Sequence, residues 1–226
     1  MTIVFSGSLG SDKRMWEPQR RDGIDGVRLE HPGHGGAPLV EVRDMADLAA
    51  AALAAIDAPR FSFVGVSLGG AVGMRIALDA PDRLERLALI CTSARFGESQ
   101  GWLDRAALVR EQGLEVIVDM LMERWFTPEF SDVRRYREMF LATDPEGYAR
   151  CCDALAVWDT RDEIGRIAAP TLVVSGADDP AAPPAAGALL AERIPNAGHA
   201  VLQNARHLAS VERAADVNAL LREHLG

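Results

Sequence analysis

Apolar positions along the chain keep two alternating rhythms. Short β-branched or aromatic runs predict strands at 2–5, 27–30, 61–66, 86–91, 171–175 and 199–202. Helical spacing predicts helices at 42–56, 68–80, 184–193 and 207–224. Strand and helix in alternation imply a mostly parallel sheet of about six strands with helices on both faces. Between Ala94 and Ala169 the strand signal stops. Helices are expected there at about 102–112, 114–125, 131–142 and 145–158, punctuated by Gly113, Pro128 and Pro145. This block, 95–168, reads as a helical cap inserted into a core made of 1–94 and 169–226.

The third strand runs directly into Gly65-Val66-Ser67-Leu68-Gly69 and then into a helix. Strand, Gly-x-Ser-x-Gly, helix is a nucleophile elbow in its required context. The glycines are needed because a Cβ there would meet the neighbouring strand and helix. The helix amino terminus behind Ser67 offers N–H groups and a positive dipole end to a developing anion. In a chain with 20 glycines the motif alone carries little weight, and its flanking elements give it meaning.

Two partners follow in order. The 171–175 strand leads into Gly176-Ala177-Asp178-Asp179, and His207 follows the last strand. Serine needs an imidazole to take its proton and a carboxylate to orient that imidazole. Ser, then Asp, then His, each just after a strand, is the α/β-hydrolase order. Counting Gly-x-x-Asp from Gly176 selects Asp179, with Asp178 as the alternative. His199 heads its strand instead of following it and reads as a strand-edge residue. His31 and His34 bracket a Pro-Gly turn without further metal ligands and read as structural. His224 sits in the last helical turn, where a cation suits the dipole. The oxyanion donors are expected to be the N–H of Leu68 and that of Leu9, within Gly7-Ser8-Leu9-Gly10.

The chain resembles the 3-oxoadipate enol-lactonases of the α/β-hydrolase superfamily over nearly its whole length. The resemblance rests on Gly7 to Gly10 with Met15-Trp16-Glu17-Pro18-Gln19, on Gly33-His34-Gly35, on the elbow, and on Cys91-Thr92-Ser93-Ala94. Asp179-Pro180 with Pro183-Pro184, and His207-Leu208 with Val211-Glu212, extend it. Arg124-Trp125-Phe126-Thr127-Pro128 and Gly147-Tyr148-Ala149-Arg150-Cys151-Cys152, both in the cap, point to the lactonase branch. Membership implies an α/β-hydrolase fold and opening of a carboxylate-bearing enol-lactone in aromatic-acid catabolism. Ser67, Asp179 and His207 would be catalytic, and Leu9 and Leu68 would supply the oxyanion hole. Family members normally begin with a β-hairpin, whereas here 2–5 is already the strand that delivers the Gly7 loop. The edge then falls to 27–30, guarded by Arg28 and Glu30, and the sheet is expected to be wholly parallel. His31-Pro32 also stand where an acidic residue and often an arginine are usual, and Ala181-Ala182 where a more polar residue is.

The cap offers substrate-binding candidates. Arg124 is the first choice for a carboxylate anchor and Arg95, at the cap mouth, the second; a cap–core salt bridge is the competing reading of Arg124. Trp125 and Trp158 either line the cleft or dock cap onto core. Met120, Leu121 and Met122 read as packing, and Arg134, Arg135 and Arg137 as a solvated face.

Composition narrows the alternatives. A net charge of −9, with 23 arginines and one lysine, argues against nucleic acid. No apolar run is long enough to span a bilayer, and no leader pattern opens the chain. Three cysteines, two adjacent, make no disulfide framework and suit a reducing cytoplasm. No cofactor is expected beyond the triad's own chemistry. The alternatives are a general carboxylesterase or another lactonase and, from a different class, a ligand-binding hydrolase-fold receptor with little turnover.

Overall fold

The computed structural model describes residues 2–226; Met1, assigned to the core from sequence, lies outside them. Six strands form one sheet: β1 (Ile3–Ser6), β2 (Val27–Leu29), β3 (Phe61–Val66), β4 (Leu84–Ile90), β5 (Thr171–Gly176) and β6 (Ala197–Leu202). Their spatial order is β2-β1-β3-β4-β5-β6, and every pair is parallel. All six residues of β3 are buried, as a central parallel strand covered on both faces requires. Strand β2 forms one edge. It is short and charged: Arg28 pairs with Glu17 at 3.3 Å and Asp25 at 3.7 Å. Glu30 lies just past it and accepts from the Gly36 N–H at 3.0 Å.

The helices are α1 (Glu17–Arg21), α2 (Met45–Ala54), α3 (Leu68–Asp79), α4 (Ser99–Gln112), α5 (Val118–Trp125), α6 (Val133–Leu141), α7 (Pro145–Ala156), α8 (Pro184–Arg193), α9 (Ala209–Glu212) and α10 (Ala214–Leu225). Asp44 caps α2 by accepting from Ala46 and Asp47, which starts that helix later than the apolar pattern alone suggests. Helix α1 and the 3-10 turn Lys13–Trp16 before it are not foreseen from sequence. They form because Asp12 accepts the Arg14 N–H at 2.8 Å and Met15 and Trp16 are buried. The single helix expected over 207–224 is divided instead. His207 and Leu208 precede α9, and Arg213 (φ −119, ψ 44) separates α9 from α10. The Arg213 guanidinium turns back to Asp216 at 2.9 Å and to the Gln203 carbonyl. Strand β4 ends at Ile90 because Cys91 takes φ +46.

The insertion between β4 and β5 carries α4 to α7, with α4 packed on α7. It is tied to the sheet at defined points. The Trp158 indole donates to the Ser93 carbonyl at 3.1 Å. The Asp144 N–H donates to the Gly33 carbonyl at 2.8 Å, and a Cβ on Gly33 would stand 2.7 Å from the Gly147 Cα. Gly33 has φ +73, so its turn needs glycine for conformation as well as for this contact. Among the described residues no helix is long and apolar enough to cross a membrane.

Candidate active site

Strand order changes direction around β1 and β3, and the loops after these strands face each other there. In open α/β sheets this switch point at the carboxyl ends is where ligands bind. Ser67 stands at the end of β3 with φ 55 and ψ −115, a strained conformation for a residue with a Cβ. The strain is held on several sides. The Ser67 N–H donates to Ile90 at 3.0 Å, and the Ser67 carbonyl accepts from Ala71 at 3.1 Å and from Thr92 Oγ1 at 2.7 Å. The elbow glycines leave no room. A Cβ on Gly65 would lie 2.3 Å from the Gly69 oxygen, and one on Gly69 would lie 2.1 Å from the Ser6 oxygen.

His207 Nδ1 lies 2.9 Å from Asp179 Oδ2. Both side chains are buried. Asp179 Oδ1 accepts from Ala181 at 2.8 Å and Ala182 at 3.1 Å. Burial pushes its carboxyl up, but the His207 imidazole and these two N–H groups outweigh that and hold it below the usual carboxylate range. Asp179 thus stays ionised and fixes an Nδ1–H tautomer, which leaves Nε2 free to accept. Asp178, the alternative, is exposed and lines a different depression beside Asn204 and Arg206.

The loop after β1 carries Leu9, and α3 begins with Leu68. Neither N–H donates to an acceptor among the described residues, and Leu9 lines the same cavity as Ser67 and His207. His31 and His34 brace this loop. His31 Nε2 lies 2.9 Å from the Gly7 carbonyl, which also accepts the Gly69 N–H at 3.0 Å. His34 Nδ1 lies 2.9 Å from the Pro32 carbonyl, while its Nε2 accepts the Gly10 N–H at 3.0 Å. Burial, then the neighbouring His31, pushes His34 down to about 3, so its ring is neutral and each nitrogen is committed. Both histidines are therefore structural, and no group of three metal-ligating side chains occurs among the described residues.

The cavity measures about 250 Å³ and lies between the sheet and the cap. Arg124 and Trp125 line it, together with Phe96, Trp102, Arg105 and Tyr148. Arg95 and Trp158 do not. They line a neighbouring depression, with Arg95 held by Glu98 at 2.9 Å and Trp158 tied to Ser93. The expected choice for Trp158, cleft or docking, thus falls to docking, because its indole N–H is spent on the core. Leu121 lines the cavity, while Met122 packs in the core. Arg134 pairs with Glu138 in solvent.

Sequence reasoning missed Arg105, Phe96, Trp102 and Tyr148. The spacing of Trp102 and Arg105 on one face of α4 was the available signal. It also missed how the His207 loop is held. The carbonyls of Arg124 and Trp125, at the end of α5, accept the N–H groups of His207 (3.4 Å) and Leu208 (3.1 Å). Glu212 closes the clamp, accepting from the Thr127 N–H at 2.8 Å and the Arg206 N–H at 2.9 Å.

This fold and site define a carboxylic ester hydrolase. The profile of the alpha/beta hydrolase fold family matches residues 5–214, and the chain belongs to that family. It is closely related to the 3-oxoadipate enol-lactonases. It is 35% identical to 3-oxoadipate enol-lactonase 2 of Acinetobacter baylyi, over 96% of this chain and 85% of that protein. The crystal structure of the enol-lactonase from Burkholderia xenovorans LB400 superposes with a TM-score of 0.94 at 35% identity, covering 99% of this chain and 90% of that one. A thermophilic esterase from Thermogutta terrifontis, solved with malate bound, gives 0.91 at 26% identity over 100% and 89%.

Proposed function

We propose that this enzyme opens a small enol-lactone carrying a free carboxylate, of the 3-oxoadipate enol-lactone type, through an acyl-serine intermediate. Ser67 attacks the lactone carbonyl while His207 Nε2 takes its proton, with Asp179 orienting the imidazole and stabilising its charged form. The Leu9 and Leu68 N–H groups, which have no acceptor among the described residues, receive the oxyanion. The tetrahedral intermediate collapses, the ring C–O bond breaks, and His207 protonates the enol oxygen, which tautomerises to a ketone. The leaving group stays tethered to the acyl chain. A water deprotonated by His207 then cleaves the acyl-serine, leaving a keto-dicarboxylate and free Ser67.

The observation that carries the reading is the small cavity with Arg124 and Trp125 on its wall, above a buried His207–Asp179 pair. Its size, about 250 Å³, suits a compact ring. The enol-lactonase relatives and the malate in the related esterase support a carboxylated substrate. In this reading 95–168 acts as the cap that sets substrate choice over a core of 1–94 and 169–226, and Arg124 anchors the carboxylate by a two-point fork. We place the enzyme in the cytoplasm because its three cysteines are buried and unpaired. The test is a panel of lactones and esters with and without a free carboxylate. The reading expects the highest kcat/KM for the carboxylated lactone. Preference for neutral esters would replace it with a general esterase.

A further inference from the structure

We infer that Arg105, on α4, forms with Arg124, on α5, a two-arginine clamp for the substrate carboxylate, so that specificity depends on both cap helices. This inference rests on the lactonase reading and adds a specificity-determining residue to it.

Apart from Arg135, which lies over the Tyr136 ring and outside the cavity, the other cap arginines pair with carboxylates. Arg95 pairs with Glu98, Arg110 with Glu146 and Asp153, Arg137 with Asp119, and Arg150 with Glu146. Arg105 and Arg124 both line the cavity that holds Ser67 and His207, and neither has a carboxylate partner among the described residues. Two half-buried cations facing one cavity repel each other unless an anion joins them. The repulsion is felt: burial, then the charge of Arg105, lowers Arg124 from its ordinary value. The one carboxylate lining the cavity among the described residues, Glu98, is 84% exposed and already held by Arg95 at 2.9 Å.

Arg105 is also placed in advance. Its guanidinium carbon stands 4.7 Å from the centre of the Trp102 ring. Trp102 is itself fixed, donating from its indole to the Phe96 carbonyl at 2.6 Å and packing edge-on to Phe96. Arg124 is fixed at its backbone, where its carbonyl receives the His207 N–H. A carboxylate has lone pairs enough for a fork from each side. Gripped by both helices, it would orient the ring relative to the loop that carries His207.

The test compares a carboxylated enol-lactone with the same lactone bearing a carboxamide, on wild type, Arg105→Gln, Arg105→Lys and Arg124→Gln. Labelling of Ser67 by a neutral fluorophosphonate checks that each variant keeps a working triad. Arg105→Gln should lose roughly 30- to 500-fold in kcat/KM on the carboxylated lactone. The loss on the carboxamide should be at least about ten-fold smaller, because a neutral amide lacks the charge that the pair of guanidinium groups is arranged to meet. Arg105→Lys should recover part of the loss, because charge returns without the fork. Equal losses on both substrates, or an Arg105→Gln enzyme that discriminates as wild type does, would overturn the clamp. If wild type itself shows no preference for the carboxylate, the lactonase reading falls first, whatever Arg105 does. If wild type prefers the carboxylate and only Arg124→Gln abolishes the preference, the lactonase reading stands and the clamp does not.

Discussion

Acidification should destabilise this protein through His34, and the size of the effect follows from the structure. His34 is fully buried, its Nε2 accepts from Gly10, and its folded pKa is pushed down to about 3. In the unfolded chain the same ring titrates near 6.5. Between these values the unfolded chain binds a proton that the fold refuses, so stability falls as pH falls below about 6.5 and the loss continues towards 3. From pH 7 to pH 5 the single ring costs about 2 kcal/mol. His31, lowered by burial as well, acts in the same direction. Asp179, held low, loses stabilising power only on acidification below about 4 and stays outside this window. The assay is urea unfolding at pH 7, 6 and 5 for wild type and His34→Gln, whose amide can accept from Gly10 but cannot titrate. Comparing the two removes the contributions of His31, His199 and His224, which are also lowered by burial. Wild type should lose about 2 kcal/mol more than the variant across that range. Parallel losses in the two proteins would show that His34 does not carry the effect and that its neutral, doubly committed ring is misread.

Three further outcomes follow from the site. Asp179→Asn should cut kcat by about 10³- to 10⁴-fold by freeing the His207 tautomer, while Asp178→Asn stays near wild type; reversed ranking in steady-state kinetics would move the orienting role. Gly65→Ala should yield no active enzyme, because its Cβ meets backbone at 2.3 Å, and a soluble variant with normal turnover would contradict the elbow geometry. Glu212→Ala strands the N–H groups of Thr127 and Arg206. It should lower the melting temperature by roughly 5–10 °C and reduce kcat more than KM, as scanning calorimetry and kinetics would show.

The parts of this account legible in sequence are those written locally. The buried run into Gly65-Val66-Ser67-Leu68-Gly69 specifies both strand and turn within a few residues, and the parallel sheet follows from alternation, while β2 at its edge follows from the strand order that the family resemblance implies. Asp179 could be counted from Gly176, but its rank over Asp178 needs the loop that buries one and exposes the other. His31 and His34 read as a structural turn, yet the backbone groups they brace lie 24 residues away, beyond any spacing rule. The break at Arg213 has no glycine or proline to announce it. Arg105 resembles any solvated helical arginine until α4 packs on α7 and Arg105 comes to line the cavity with Ser67 and His207, so cap chemistry emerges only with tertiary structure.

Opening of the lactone ring onto Ser67 can be seen by acid-quenching the enzyme during turnover of the carboxylated enol-lactone and weighing it by mass spectrometry. Because the leaving oxygen remains tethered, the adduct should equal the whole lactone mass, be located on the peptide carrying Ser67 and be absent from Ser67→Ala. No adduct under single-turnover conditions, or undiminished hydrolysis by Ser67→Ala, would contradict it.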